Sequence, residues 1–109
     1  MMPLDNTNAL RYYRSVRTRD RELNDYLYGG RYPKGYPTGV EKALKRKLQM
    51  LRAAHALQDL KVPPGNMLEA LVGDLLGHWS IRVNKQWRLI FQWDDEAKEA
   101  YDVYFDDYH

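Results

Sequence analysis

The sequence predicts an α+β fold in which a small antiparallel β-sheet carries two helices packed on one face. Two changes of pattern predict it. Apolar residues recur at helical spacing between residues 40 and 57, and after residue 78 three runs alternate with a period of two. Short polar turns join these runs, as in a β-meander. The apolar stripe of the helix is the natural cover for one face of that sheet.

The composition indicates one folded domain. The chain has 109 residues, of which 44% are hydrophobic and 29% charged, too few for two ordinary domains and unlike a disordered protein. No apolar run nears the roughly 20 residues that cross a bilayer, and the first residues do not resemble a secretory signal. Cysteine is absent, which removes disulfides, thiol nucleophiles and Cys-ligated zinc. We therefore expect a cytoplasmic protein.

The N-terminal part alternates between weak patterns and turn residues. Residues 1–10 are polar and unpatterned and predict a flexible extension, so that residues 11–109 form the single domain. Weak alternation over residues 12–17 predicts a strand. Residues 20–28 predict a short helix that Gly29 and Gly30 end, and the glycine- and proline-rich stretch to residue 39 predicts a loop.

The clearest helix follows this loop. Thr38 and Glu41 have the spacing of a capping box, and the helix is expected to run to about Leu57, before the prolines at 63 and 64. Its apolar stripe is Val40, Leu44, Leu48 and Leu51. Lys47 falls at the flank of that stripe. The other faces are basic, which suits contact with RNA phosphates, although a merely solvated face is the alternative: Lys42, Lys45, Arg46 and Arg52.

The C-terminal part reads as strands. Residues 67–71 predict a short strand, and the three alternating runs are Trp79–Val83, Trp87–Trp93 and Tyr101–Phe105. Residues 1–66 hold 13 Lys and Arg against 6 Asp and Glu, whereas residues 67–109 hold 4 against 9. A basic half beside an acidic half suggests an anionic partner such as nucleic acid, or two solvated faces.

Arg82 and Arg88 are the first candidates for a site. Each alternates out of phase with the large apolar residues of its strand, so both are expected on the sheet face that the helices leave open. Two guanidinium groups there would bind a phosphate bidentately, and two solvated side chains are the alternative. The chain then ends in Asp106, Asp107, Tyr108 and His109, which can orient, donate and accept protons. The motifs of nucleotide-binding loops, zinc proteases and serine hydrolases are absent, so we expect no cofactor and no metal.

Five segments together resemble the HigB toxins of the RelE/ParE superfamily of type II toxin–antitoxin systems. The resemblance is dense from about Val40 to His109 and weak from Tyr12 to Gly39, and residues 1–10 have no counterpart. The segments are PPGNMLEAL at 63–71, GD at 73–74, GHWSIRVN at 77–84, QWR at 86–88 and DYH at 107–109.

The resemblance implies a microbial-RNase-like fold and a function. It implies a strand, two helices and an antiparallel sheet, and a ribosome-dependent endoribonuclease that cuts mRNA during translation. A helix-turn-helix antitoxin would neutralise the toxin and bind the operator DNA, so that the toxin meets DNA only through its partner. The alternative is a catalytically weak or inactive protein of this fold that acts by binding its antitoxin or, like the ParE branch, another protein.

The resemblance also implies a site. Arg88 would stabilise the phosphate, and Asp107, Tyr108 and His109 would form the catalytic end. Many relatives have a histidine where this chain has Glu69 and a lysine where it has Val72, so that Glu69 would have to accept the proton and Arg82 would replace the lysine.

These groups suit RNA cleavage without a metal. The reaction needs a base for the 2′-hydroxyl, an acid for the leaving 5′-oxygen and positive charge at the phosphorus. We assign Glu69 as base, His109 as acid and Arg88 as charge stabiliser, with base and acid open to exchange. Asp107 would orient His109, and Tyr108 would stack on a base or donate a hydrogen bond.

Overall fold

A computed structural model describes residues 16–107 of the chain. It contains two α-helices, α1 (Arg21–Leu27) and α2 (Glu41–Ala53), followed by one antiparallel sheet. The strands are β1 (Glu69–Ala70), β2 (Trp79–Arg82), β3 (Trp87–Asp94) and β4 (Glu99–Asp107), in the spatial order β1-β2-β3-β4. The predicted fold class is confirmed. The extension predicted for residues 1–10 lies outside the described residues.

Helix α1 begins and ends as its flanking residues predict. Asp20 has an extended backbone, and its carboxylate accepts a hydrogen bond from the Leu23 amide at 2.7 Å, which satisfies an amide that the first turn leaves unpaired. After Leu27 the chain turns through Gly29, whose φ of +104° suits only glycine. The helix therefore ends just before Gly29 and Gly30, as predicted.

Helix α2 differs from the prediction at both ends. Its N-cap is Val40 and makes no side-chain cap, so the capping box of Thr38 and Glu41 is wrong. The Glu41 carboxylate instead accepts a hydrogen bond from the Tyr26 hydroxyl at 3.3 Å, which ties α2 to α1. The helix ends at Ala53 rather than near Leu57, because the chain turns extended at Ala54. A separate 3₁₀ turn, Leu57–Lys61, follows.

One apolar core joins the helices to one face of the sheet. Leu44, Leu48 and Leu51 of α2 are buried together with alternate residues of the strands. The strand residues in this core include Ile81, Leu89, Phe91 and Val103. The intervening residues, among them Ser80 and Arg88, therefore lie on the opposite face. No helix in residues 16–107 is both long and apolar enough to cross a membrane.

Side-chain turns fix the register of the meander. The Asn84 side-chain oxygen accepts hydrogen bonds from the Gln86 and Trp87 amides, both at 2.8 Å, and closes the turn between β2 and β3. Asp94 caps the next turn in the same way. The strand predicted for residues 67–71 is only two residues long, because Met67 is left-handed with a φ of +49°. The strand predicted at 12–17 lies largely outside the described residues, and the chain pairs with β4 through a parallel bridge of Thr18 and Val103.

Candidate active site

Arg88 lies near the start of β3 on the sheet face opposite the helices, and it is only 3% exposed. Its Nε donates to the Ser80 hydroxyl at 2.7 Å, and its Nη2 donates to the Met67 carbonyl at 2.6 Å and to the Ser80 carbonyl at 3.3 Å. Ser80 itself is fully buried. The guanidinium is therefore held by fixed acceptors on two segments, and the alternative of a solvated arginine is wrong.

Glu69 on β1 is the nearest described carboxylate to this guanidinium. Its Oε1 lies 3.8 Å from Arg88 Nη2, and the Glu69 side chain is 48% exposed. The pairing of Glu69 with Ser80 across β1 and β2 explains the proximity, because residues that pair across strands share a face. Two residues that are 19 apart in the sequence thus meet, one buried and cationic, the other anionic and open to solvent.

The register of β4 decides which terminal residue lies beside Arg88. Asp106 pairs with Arg88, whereas Asp107 pairs with Trp87. The Asp107 carboxylate accepts a hydrogen bond from the Gln86 side-chain amide at 3.0 Å. The position of Asp106 opposite Arg88 could not be predicted from the sequence, because strand pairing is not visible there. Tyr108 and His109 lie outside the described residues, directly after the end of β4.

A cavity of about 460 Å³ adjoins these groups. Its lining includes Glu69, Asp106 and Asp107, together with the apolar side of the segment that connects β1 to β2. The apolar lining residues are Ala70, Leu71, Val72, Leu75 and Ile90. Val72 is 79% exposed, so a bound molecule would meet an apolar wall and a carboxylate rim close to the Arg88 guanidinium.

Arg82 shares the face of Arg88, as its spacing predicts. The two arginines pair directly across β2 and β3, and Arg82 is partly exposed at the end of its strand. The two guanidinium groups therefore differ in environment although their positions along the strands are equivalent.

The basic residues of α2 belong to a different layer of the molecule. Lys42, Lys45 and Arg46 are exposed, while the opposite side of the helix packs on the apolar face of the sheet. Arg52 lies over the Tyr28 ring, 5.1 Å from its centroid, and so contributes to the contact between α1 and α2. The structure does not bring these residues to Arg88.

Lys47 differs from the other basic residues of α2 because it is buried. It is 7% exposed, and its ammonium donates a hydrogen bond of 2.5 Å to the side-chain oxygen of Asn66. Burial, with a smaller effect of the neighbouring Arg46 charge, lowers the pKa of Lys47. The flank of the stripe, where Lys47 was predicted, is thus buried, and the ammonium is paired there with a polar side chain distant in sequence.

A second polar cluster lies further along β4. Asp102 occupies an irregularity in the pairing of β3 with β4, with a φ of +53°, and it accepts two hydrogen bonds from Arg19, at 3.0 and 2.9 Å. His78 Nε2 lies 3.5 Å from the same carboxylate. Mainly through the Arg19 hydrogen bonds, the pKa of Asp102 falls to about 2. Since Arg19 also stacks on Tyr104, 3.7 Å from the ring centroid, this cluster fastens the N-terminal segment to β4.

The arrangement around Arg88 is suited to an anion whose charge grows during a reaction. A guanidinium that is already fixed needs little reorganisation, and a low-dielectric setting strengthens its field. Across residues 16–107 no three His, Asp or Glu side chains come together as metal ligands would.

Comparison with known proteins assigns this architecture to a family. The family model described as "RelE-like toxin of type II toxin-antitoxin system HigB" matches residues 17–109. Toxin HigB-1 of Vibrio cholerae serotype O1 is 47% identical over 88 residues, which cover 81% of this chain and 90% of that protein. An uncharacterized protein of Haemophilus influenzae is 40% identical over 93 residues, covering 81% and 89%.

A solved structure shares the fold. A chain of the toxin–antitoxin complex RelBE2 from Mycobacterium tuberculosis superposes with a TM-score of 0.52 at 21% identity, over 88% of this chain and 92% of that one. The order of helices and strands described above is thus found in a protein of little sequence similarity.

Proposed function

This chain belongs to the RelE-like HigB toxins of type II toxin–antitoxin systems, and we propose that it stops translation by cleaving mRNA on the ribosome. The observation that carries the proposal is the buried Arg88 guanidinium, held by Ser80 and Met67, with Glu69 at 3.8 Å. A fixed cation beside an exposed carboxylate provides two of the three groups that phosphodiester cleavage requires.

The proposed reaction is an internal transfer at the scissile phosphate. Glu69 takes the proton of the 2′-hydroxyl, and the 2′-oxygen forms a bond to phosphorus. Arg88 stabilises the charge that develops on the phosphate oxygens. The bond from phosphorus to the 5′-oxygen breaks, and His109 gives its proton to that oxygen. The products are a 2′,3′-cyclic phosphate and a 5′-hydroxyl, and the scheme uses only side chains of this protein.

The terminal residues complete the proposed site. Asp107 would orient His109, and Tyr108 would stack on a base or donate a hydrogen bond. The strand that precedes these two residues, β4, carries Asp106 opposite Arg88, which supports the proposal. In the converse assignment His109 is the base and Glu69 the acid.

We propose that the contacts with the ribosome are made by basic residues of the helical layer. Lys42, Lys45 and Arg46 would bind ribosomal RNA phosphates from the outer face of α2. Arg82 would contact the mRNA next to Arg88, and Arg52 would act from the rim of the contact between α1 and α2.

The proposed partner in the resting cell is an antitoxin. Membership of the family supports such a partner, and the related fold in Mycobacterium tuberculosis occurs in a toxin–antitoxin complex. We propose that this antitoxin has a helix-turn-helix domain that binds the operator DNA, and that the toxin acts in the cytoplasm, where the ribosomes are.

In-vitro translation of a reporter mRNA tests the proposal. With the purified chain, primer extension should show new 5′ ends within the translated region, and those ends should carry a 5′-hydroxyl. The same mRNA without ribosomes should stay intact. If translation stops with the mRNA uncut, the protein acts by binding, and the replacement of the family histidine by Glu69 becomes the first explanation to examine.

A further inference from the structure

We propose that Asn66 and Lys47 are positioning residues for Arg88, because they fix the Met67 carbonyl that holds its guanidinium. The inference rests on the proposed role of Arg88 in RNA cleavage. Neither residue faces the candidate site, and both are buried, at 0% and 7% exposure. We expect their effect on the reaction to pass through the Met67 carbonyl and Arg88.

Asn66 uses both ends of its side-chain amide. The nitrogen donates to the Leu60 carbonyl at 3.0 Å and to the Val62 carbonyl at 3.4 Å, and the oxygen accepts from Lys47. Asn66 ends a second 3₁₀ turn, Pro64–Asn66, and its side chain thus ties this turn to the 3₁₀ turn Leu57–Lys61 and to helix α2. A fully buried amide satisfied in this way admits few other orientations.

Lys47 supplies a cation where packing alone would favour an apolar residue. It lies beside Leu44, Leu48 and Leu51 on the buried side of α2. Removing an ammonium from water costs several kcal/mol unless it is paired, and a well-packed apolar residue of the same volume is often at least as stable. The feature that an apolar residue would lack is the hydrogen bond of 2.5 Å to Asn66.

Met67 links this anchor to the site. It follows Asn66 directly, and its φ of +49° is unusual for a residue with a side chain. The Asn66 and Met67 amides donate to the Pro63 and Pro64 carbonyls, at 2.9 and 3.0 Å. The left-handed turn directs the Met67 carbonyl to Arg88 Nη2 at 2.6 Å. A left-handed backbone at a residue with a side chain persists only where the surrounding structure fixes it. Here the adjacent buried residue Asn66 provides that anchor.

A double-mutant cycle measures the proposed coupling. Lys47→Met keeps an unbranched side chain, shorter by the terminal nitrogen, and removes the donor to Asn66. We expect the single-turnover rate of mRNA cleavage on the ribosome to fall about 10- to 100-fold, the size of effect that a small misplacement of a catalytic group produces. In the Arg88→Ala background the same change should have no further effect. Independent, multiplicative losses in the two backgrounds would overturn the inference.

A matched core variant separates positioning from loss of stability. Leu23→Ala in α1 removes a fully buried side chain far along the chain from Asn66, and it should lower the melting temperature at least as much. We expect Leu23→Ala to retain the wild-type cleavage rate at a temperature where both variants are folded. An equal loss of rate in Leu23→Ala would show that Lys47 acts only through stability.

A measurement without RNA separates this inference from the proposed function. The Arg88 Nε–H bond to Ser80 should make its resonance sharp and slow to exchange in ¹⁵N NMR spectra of the free protein. In Lys47→Met we expect its exchange to accelerate at least about 10-fold while the β3 amides stay protected. Asn66→Asp, which keeps an acceptor for Lys47 but removes the donors to Leu60 and Val62, should have the same effect and serves if Lys47→Met does not fold. Unchanged Arg88 exchange in a folded variant overturns the inference even if the wild-type chain cleaves mRNA, and faster exchange supports it even if the chain does not.

Discussion

The outer face of α2 and the open face of the sheet both carry basic side chains, but they hold them differently. Lys42, Lys45 and Arg46 extend into solvent. Arg88 is 3% exposed and is bound by acceptors on two segments. Exposed cations are mobile and screened by salt, whereas a buried and oriented cation keeps its field and its position.

This difference separates binding from chemistry. A mobile cation attracts a phosphate equally well before and during a reaction, which contributes affinity alone. A fixed cation gains most when charge develops next to it. The comparison predicts that substitutions on the sheet face lower the cleavage rate, and that substitutions on α2 lower affinity for the ribosome.

Deletion of His109 should have the largest effect. Loss of a general acid costs typically 10²- to 10⁴-fold in rate, and we expect a loss of about this size in the translation assay. Binding to ribosomes and to the antitoxin should remain. Full cleavage by the shortened chain would move the acid elsewhere, and Tyr108 and Glu69 would be the next candidates.

Arg88→Ala should lower the cleavage rate by about 10²- to 10³-fold, as removal of one oriented donor does in other enzymes. Ribosome affinity should change little. Arg82→Ala, at the paired position on β2, should lose less than about 10-fold, because its side chain is partly exposed to solvent. Circular dichroism must first show both variants folded, since Arg88→Ala leaves buried acceptors at Ser80 and Met67. Equal losses in the two variants would remove the distinction between the fixed and the mobile arginine.

Lys45→Glu with Arg46→Glu should weaken binding to the ribosome and leave the rate of bound complexes unchanged. Loss of two phosphate contacts should lower the slope of log K against log salt by about 2. Co-sedimentation at several salt concentrations measures it. Arg31→Glu with Lys34→Glu makes the same change of net charge on the loop before α2 and should leave the slope intact. An unaltered slope in the α2 variant would mean that this face is merely solvated.

Asp102→Asn should have the smallest effect, and on stability alone. The Arg19 hydrogen bonds lower the pKa of Asp102 from 3.8 to about 2, so the folded state is favoured above pH 4 and loses this contribution as the pH falls towards 2. Because both side chains are partly exposed, we expect about 1 kcal/mol at pH 7. Urea unfolding at pH 7 and at about pH 1, below both pKa values, measures it: the two proteins should differ at pH 7 and converge at the low pH. A difference that persists at about pH 1 would contradict the assignment to ionised Asp102.

The sequence predicts the regular elements well because they depend on local periodicity. The stripe of α2 and the alternation of β3 are visible in adjacent residues, and the structure confirms them. The alternation predicted for β4 is wrong at Tyr101, because the irregularity at Asp102 places Ala100 in the core with Val103 instead. The helix ends were predicted less well. Glu41 was expected to cap its own helix, but it accepts a hydrogen bond from Tyr26, which only the tertiary fold brings near.

The candidate site depends even more on contacts between residues that are distant in the sequence. Alternation correctly assigns Arg82 and Arg88 to one face. It does not predict that Arg88 is buried while Arg82 is partly exposed. The pairing of Asp106 with Arg88 depends on the strand register, and the bond of Lys47 to Asn66 spans 19 residues. Neither leaves a periodic signal. The one local indication of this bond was that Lys47, a charged residue, lies beside the apolar stripe of its helix.

The two edge strands of the sheet affect whether copies of the free toxin associate at high concentration. Exposed strand edges are templates on which identical chains assemble and aggregate. Here one edge is β1, which is two residues long and carries the charge of Glu69. The opposite edge, β4, is bridged by the segment around Thr18. Within residues 16–107, a second copy of the chain therefore meets a short, charged edge at β1 and a β4 edge that Thr18 bridges at Val103. Assembly of free chains through their sheet edges should therefore be weak.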